Sequence, residues 1–181
     1  MRIRHVLLLL SLPLLSPAAF SQVEYHVQTG LFTGTNEVAL LSVDDAVDVY
    51  TGTRYVVGVE TLFGSGQVAP LAGLLFQPGR YRSPTAEDFA FHRLYAPLGV
   101  AYRLLSPQFD LNFVPSVAAV PAISFGDGAE GEGLSWNGRV GAALLLDWFT
   151  LGAYYWRSFG DGFGSKEHSG GRALLTAGVR F

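Results

Sequence analysis

Reading backwards from the C-terminus, Phe181, Val179, Ala177, Leu175 and Ala173 share one face of an extended segment, and Arg180, Gly178, Thr176 and Leu174 share the other. Successive side chains of a strand point to opposite sides of its sheet. This segment therefore has one almost wholly apolar face, one mixed face, and an aromatic residue at its end. A strand of that kind needs either a core or a lipid phase against its apolar face. No other feature constrains the fold as tightly.

The opposite end of the chain limits where it can fold. Arg2 and Arg4 precede an apolar run from Val6 to Leu15, and Ala19-Phe20-Ser21 follows as a small-x-small site before Gln22. These are the three parts of a cleaved secretory signal. The run is short and broken by Pro13, which sets it apart from a membrane anchor. The expected organisation is a signal peptide over residues 1–21 and one domain over 22–181, the mature chain beginning near Gln22. Beyond residue 21 no apolar stretch is long enough for a spanning helix. An exported chain of this composition then either stays in water or crosses a membrane as a closed sheet, because only helices and closed barrels satisfy every backbone group in lipid.

Hydrophobic residues make up 49% of the chain and charged residues 15%, with 22 glycines and no cysteine. A barrel can present its apolar half to lipid, whereas a soluble domain of about 160 residues would need one large core. Without cysteine no disulfide framework holds the exported fold. The formal charge of −3 becomes about −5 once Arg2 and Arg4 are removed, which argues against nucleic-acid binding.

Alternation predicts eight strands. They fall at about Val23 to Thr33, Thr53 to Phe63, Gln67 to Gln77, Phe89 to Leu104, Phe109 to Phe125, Leu134 to Leu146, Phe149 to Phe159, and the terminal segment. Gly64-Ser65-Gly66, Ser106-Pro107-Gln108 and Asp147-Trp148 are short turns, and the other connections are long. Pro70 weakens the third strand, and Pro115 and Pro121 predict bulges in the fifth. An even strand count with alternating long and short connections is the pattern of an up-and-down antiparallel transmembrane β-barrel.

With the short turns on the periplasmic side, Tyr25, Phe63, Tyr102, Phe109, Trp148, Phe149 and Phe181 fall near one rim. Phe32, Tyr55, Phe76, Phe91, Phe125, Trp136 and Trp156 fall near the other, as two interfacial girdles. Phe113, Tyr95 and Tyr154 fit neither. The inward faces collect Glu24, His26, Arg54, Glu60, Arg93, Arg103, Arg139, Asp147 and Arg180. An eight-stranded barrel is only wide enough for its interior to be filled by side chains, so these charges should pair as a plug.

The segments Leu74-Leu75-Phe76-Gln77-Pro78-Gly79 and Phe91-His92-Arg93-Leu94-Tyr95-Ala96-Pro97-Leu98-Gly99-Val100-Ala101-Tyr102 resemble the third and fourth strands of a known family. It is the eight-stranded outer-membrane β-barrel domain proteins of Bacteroidetes-type bacteria. The resemblance extends loosely through Thr150-Leu151-Gly152 to Gly178-Val179-Arg180-Phe181. It implies an outer-membrane location, contact with outer-membrane lipids, and an insertion machinery that reads the terminal aromatic. It brings no catalytic residue set.

Few residues offer chemistry. His5, His26, His92 and His168 have no metal-ligand spacing. Glu167-His168-Ser169 supplies an acid, a base and a hydroxyl, but without a nucleophile elbow and on neighbouring positions that cannot converge on one atom. Asp127, Glu130 and Glu132 alternate in a glycine-rich loop without the order of a calcium loop. No catalytic, cofactor-binding or metal-ligating residue is therefore expected, and no cofactor. Glu37, Asp44, Asp45, Asp48, Glu87, Asp88, Asp127, Glu130, Glu132, Asp161 and Glu167 fall in the long connections against Arg80, Arg82 and Lys166, an electronegative outer mouth.

The expectation is a small integral outer-membrane barrel with a structural or surface-interaction role, not an enzyme. The alternatives are a narrow pore, an outer-membrane lipid hydrolase or acyltransferase, and a soluble lipocalin-like periplasmic carrier.

Overall fold

The computed structural model describes residues 23–33, 37–41, 47–84, 87, 89–105, 111–126, 133–159 and 171–181. Among them eight strands close an antiparallel barrel. The first is Val23–Phe32, the second Tyr55–Phe63 and the third Val68–Gln77. The fourth runs in three pieces, Phe89–Tyr95, Leu98–Tyr102 and Leu104–Leu105. The fifth to eighth are Leu111–Gly126, Gly133–Leu146, Phe149–Phe159 and Gly171–Arg180. Each strand pairs with its sequence neighbours, and the eighth closes on the first from His26 opposite Arg180 to Phe32 opposite Leu174. Followed once round the barrel, the pairings return displaced by ten residues along the first strand. Strands so staggered tilt strongly, by about 35–45°.

Alternation sorts the side chains in the way the sequence predicts for most strands. In the first strand Tyr25, Val27 and Leu31 are exposed, while His26, Gln28 and Phe32 are buried. In the sixth, Trp136, Val140, Leu144 and Leu146 face out while Asn137, Arg139 and Leu145 face in. The barrel is thus apolar outside, while its interior mixes charged and polar side chains with an apolar cluster that includes Val56, Leu75, Val120 and Leu145. An exposed apolar belt of this extent is a lipid- or partner-facing surface.

The prolines of the fifth strand do not produce the predicted bulges. Its register to the sixth is unbroken from Leu111↔Leu146 to Ser124↔Gly133, across both Pro115 and Pro121. The register to the fourth holds too, with Asn112↔Leu105 and Ala122↔Tyr95 on one offset. Proline removes a single N–H from a ladder, and Pro121 still accepts from the Ala96 amide at 2.9 Å. One missing donor among so many pairs interrupts no register. In the fourth strand Pro97 likewise breaks the strand at residues 96–97 without shifting it, its carbonyl accepting from the Gly73 amide at 2.9 Å.

The turns follow their chemistry. Gly64 takes a φ of 82°, and Asp147 takes 50°, a left-handed position that aspartate tolerates better than most residues. Ser106-Pro107-Gln108 and Phe109 lie outside the described residues. The first long connection holds its own hairpin, Glu37–Leu41 against Val47–Thr51, which the sequence reading leaves as polar loop. Past the third strand, Arg80–Tyr81 continues the ladder against Ala90 and Phe89.

Burial on the eighth strand changes what counts as a mild substitution there. Thr176 is 6% exposed and packed, and a side chain at Gly178 would collide with the Val27 carbonyl. Lumen-facing Thr176→Arg and Gly178→Ser should therefore impair folding.

Depth on the outer face provides the cleaner contrast. Val117→Arg and Leu175→Arg, on 60% and 54% exposed positions of the belt's middle, should each cost about 2–4 kcal/mol of folding free energy in lipid. Val68→Arg, 61% exposed beside the first short turn, should cost about 0–1 kcal/mol. Denaturant titration of the three variants in bilayers measures this. Equal costs would mean that the exposed belt does not face hydrocarbon.

Candidate functional site: the barrel interior

Among the aliphatic side chains of the interior, the charged and aromatic ones fall in three layers. At the short-turn end Glu24 is the hub. Its Oε1 lies 2.9 Å from His26 Nε2 and 3.4 Å from Arg180 Nη1, and its Oε2 lies 3.3 Å from Arg103 Nη2. Arg103 also donates from Nη1 to the carbonyls of Gly64 and Gly66, at 2.8 and 2.9 Å. Arg180 donates from Nε to the Asp147 carbonyl. Two of the three short turns are thus tied to one carboxylate, by Arg103 of the fourth strand and Arg180 of the eighth. A recess of about 260 Å³ opens there, lined by Val23, Glu24, Gly64, Ser65, Arg103 and Phe181.

The middle layer is a buried ion pair. Arg139 of the sixth strand reaches across the lumen to Glu60 of the second, Nη1 to Oε1 and Nη2 to Oε2 at 3.2 Å. Both are almost inaccessible, at 2% and 5%. The guanidinium sits over the ring of Tyr154, 4.4 Å from its centroid, and 6.0 Å from that of Trp156. Planar stacking and forked donation are arginine's two particular capacities, and lysine would supply neither. Between this layer and the first, a cavity of about 20 Å³ lies among His26, Glu60, Ser116 and Tyr154, space on the scale of one water molecule.

The third layer is aromatic. Phe32 and Trp156 meet edge to face at 5.5 Å, and Tyr95 meets Trp156 at 5.2 Å. The Tyr95 hydroxyl donates to Gln77 Oε1 at 2.7 Å, and Gln77 Nε2 donates to the Thr53 carbonyl at 2.8 Å. Arg93 lies over Phe91 at 5.4 Å and Arg172 over Phe32 at 4.6 Å. Tyr81 adds a further ring, 6.4 Å from Phe91.

Seven of the nine inward charges expected from the sequence are inside: Glu24, His26, Glu60, Arg93, Arg103, Arg139 and Arg180. Arg54 and Asp147 are not. Both are exposed, Arg54 just before the second strand and Asp147 in the turn. The outer girdle also needs correction. Phe32, Phe91 and Trp156 are 2%, 1% and 3% exposed and belong to the lumen with Tyr95 and Tyr154, which otherwise fit no belt. Their height matches the rim, but their parity puts them inward. Tyr155 and Phe159, at 50% and 59%, take outward positions on the seventh strand instead.

Among the described residues no three histidine, aspartate or glutamate side chains are grouped to hold a metal ion. Glu167-His168-Ser169 and the Asp127–Glu132 loop lie outside the described residues, as do Asp44, Asp45, Asp88, Asp161 and Lys166. The electronegative outer mouth is a property of the sequence alone.

No protein-family model matches the chain, and no curated protein matches it. Among solved structures it is similar to neisserial surface protein A, with a TM-score of 0.52 at 13% identity, over 87% of this chain and 95% of that one. The outer membrane protein OprG from Pseudomonas aeruginosa aligns at a TM-score of 0.43 and 10% identity, over 88% of this chain and 95% of that chain. The first likeness supports the fold that the family resemblance implied, and does not extend to a Bacteroidetes-type origin.

The middle layer yields a direct test. Glu60→Gln leaves Arg139 buried without its counter-charge, which should cost about 3–5 kcal/mol. Replacing both, as Glu60→Leu with Arg139→Met, should recover most of that loss, because an apolar pair of similar volume is often neutral. Urea unfolding in detergent micelles measures both. A loss below about 1 kcal/mol for the single variant would show that the pair is not the central brace.

Proposed function

We propose that this chain is a small integral outer-membrane barrel that does not conduct, and that works through its loops and its lipid-facing wall. The observation that carries this reading is the sidedness of the sheet. Large apolar residues such as Leu31, Leu74, Val117, Val140 and Leu175 are exposed outside, while Glu60, Arg93 and Arg139 are buried inside. In water such a surface would drive association; in a bilayer it is the ordinary exterior of a barrel. The likeness to a neisserial surface protein supports the same location.

The interior favours a structural role over transport. Arg139 and Glu60 span the lumen, and the Phe32–Tyr95–Trp156 cluster fills it above them. A pore would need these side chains to leave, breaking a buried charge pair in the process. The outward apolar faces oppose the soluble-carrier reading.

The mature protein should fractionate with outer membranes, and its folded form should migrate faster in unheated than in heated gel samples. Recovery from the periplasm without detergent would refute the membrane reading. In planar bilayers the purified protein should show no stable open conductance; large, steady currents would replace the filled barrel with a pore.

A further inference from the structure

The outer wall is not uniform around its long-loop rim. On the third to fifth strands an aromatic group stands on the outward face: His92 meets Phe76 and Phe125 at tilted angles, each 5.6 Å away, and the two phenylalanines stack at 6.5 Å. The cluster is held in place by register, Phe125 lying opposite His92. The imidazole is fixed too, since its Nδ1 accepts from the Gly79 amide at 3.3 Å.

Immediately beyond this group the third strand's ladder continues, with Arg80 opposite Ala90 and Tyr81 opposite Phe89. Tyr81 is 1% exposed and packs inward on Phe91, so alternation turns Arg80 and Arg82 outward, and both are exposed. They stand on the bilayer side of the wall. At about 3.3 Å per residue and the tilt of such strands, they lie about 5 and 10 Å above Pro78, beside the ring cluster. Interfacial aromatics mark the edge of the hydrocarbon, so these arginines reach the zone of the lipid headgroups. Arginine presents a planar fork of donors matched to phosphate. Glu87 is the described acid of the same connection.

We infer that Arg80 and Arg82, above the Phe76–His92–Phe125 cluster, form a docking surface for the phosphate groups of outer-leaflet lipids. Acyl chains lie against the rings, and the headgroup phosphate meets the two guanidinium groups. The inference rests on the membrane reading above and adds a lipid-selective face to it.

The test places the full mature protein in phosphatidylcholine nanodiscs doped with a bisphosphorylated glucosamine glycolipid, and reads co-retained lipid by native mass spectrometry. The same glycolipid with its phosphates removed is the comparison. The phosphorylated form should be retained in preference, and raised salt should weaken it. Neutralising one arginine should lower retention about fivefold, and R80Q/R82Q about twenty-five-fold. Arg157→Gln, at an exposed site on the seventh strand, should leave it unchanged. Equal retention of the dephosphorylated lipid by the wild-type protein would overturn the inference whether or not any variant folds. So would unchanged retention by R80Q/R82Q, an equal loss in R157Q, or displacement of the lipid by millimolar inorganic phosphate. Gel mobility before heating separates the two claims. A properly inserted barrel without lipid preference removes this inference alone, whereas failure to insert removes the membrane reading with it.

Discussion

The structure depends on the closing ladder between the first and last strands. Seven consecutive pairs, from His26↔Arg180 to Phe32↔Leu174, convert an open sheet into a barrel with no free edge. In hydrocarbon an open edge would leave a row of backbone donors and acceptors without partners, each costing several kcal/mol. Closure of eight strands in turn fixes the radius, and the radius leaves an interior that side chains must fill. The Glu60–Arg139 pair and the aromatic layer follow from that limit. The short-turn end is drawn in by the same logic, with Arg103 and Arg180 both reaching Glu24.

The buried charges are also what make the outside legible. A sheet with period-two alternation has to choose which face is buried, and a shift of one residue exchanges the faces. Here Glu60, Arg93 and Arg139 hold one face inward, because none of them could be turned to lipid without a large cost. The apolar residues between them are exposed by default. Stability of the inside and compatibility of the outside with a bilayer are therefore one constraint, expressed on alternate residues.

Much of this could be read from the chain. Strand one, with Tyr25, Val27 and Leu31 against Glu24, His26 and Gln28, has a polar residue at nearly every second position, and its facing is unambiguous. Strands two, four, six and eight are equally clear. The seventh is not: Tyr154, Tyr155 and Trp156 are consecutive aromatics, so neither face is marked by polarity, and height along the strand misplaces Trp156. Phe32 and Phe91 go astray for the same reason, although their parity with Gln28 and Arg93 would have set them inward. Pro115 and Pro121 make no bulge because each removes one donor from a ladder that the remaining pairs hold in register. The partnering of Arg139 with Glu60, 79 positions apart, has no sequence signal at all. It follows only from the stagger of the strands. The outward turn of Arg80 and Arg82 is equally hidden, because the polar segment after Pro78 carries no alternation that marks it as strand.

The central claim is that one face of each strand meets lipid and the other meets the filled lumen. The chain's three tryptophans test it directly. Trp136 is 49% exposed on the outer wall, and Trp156 is 3% exposed inside, one strand away. Variants retaining only Trp136 or only Trp156, with phenylalanine at the other positions, can be folded into vesicles of phospholipids brominated along the acyl chain. Bromine quenches indole fluorescence only on contact. The account predicts strong quenching of Trp136 and little quenching of Trp156. Equal quenching of the two would contradict it.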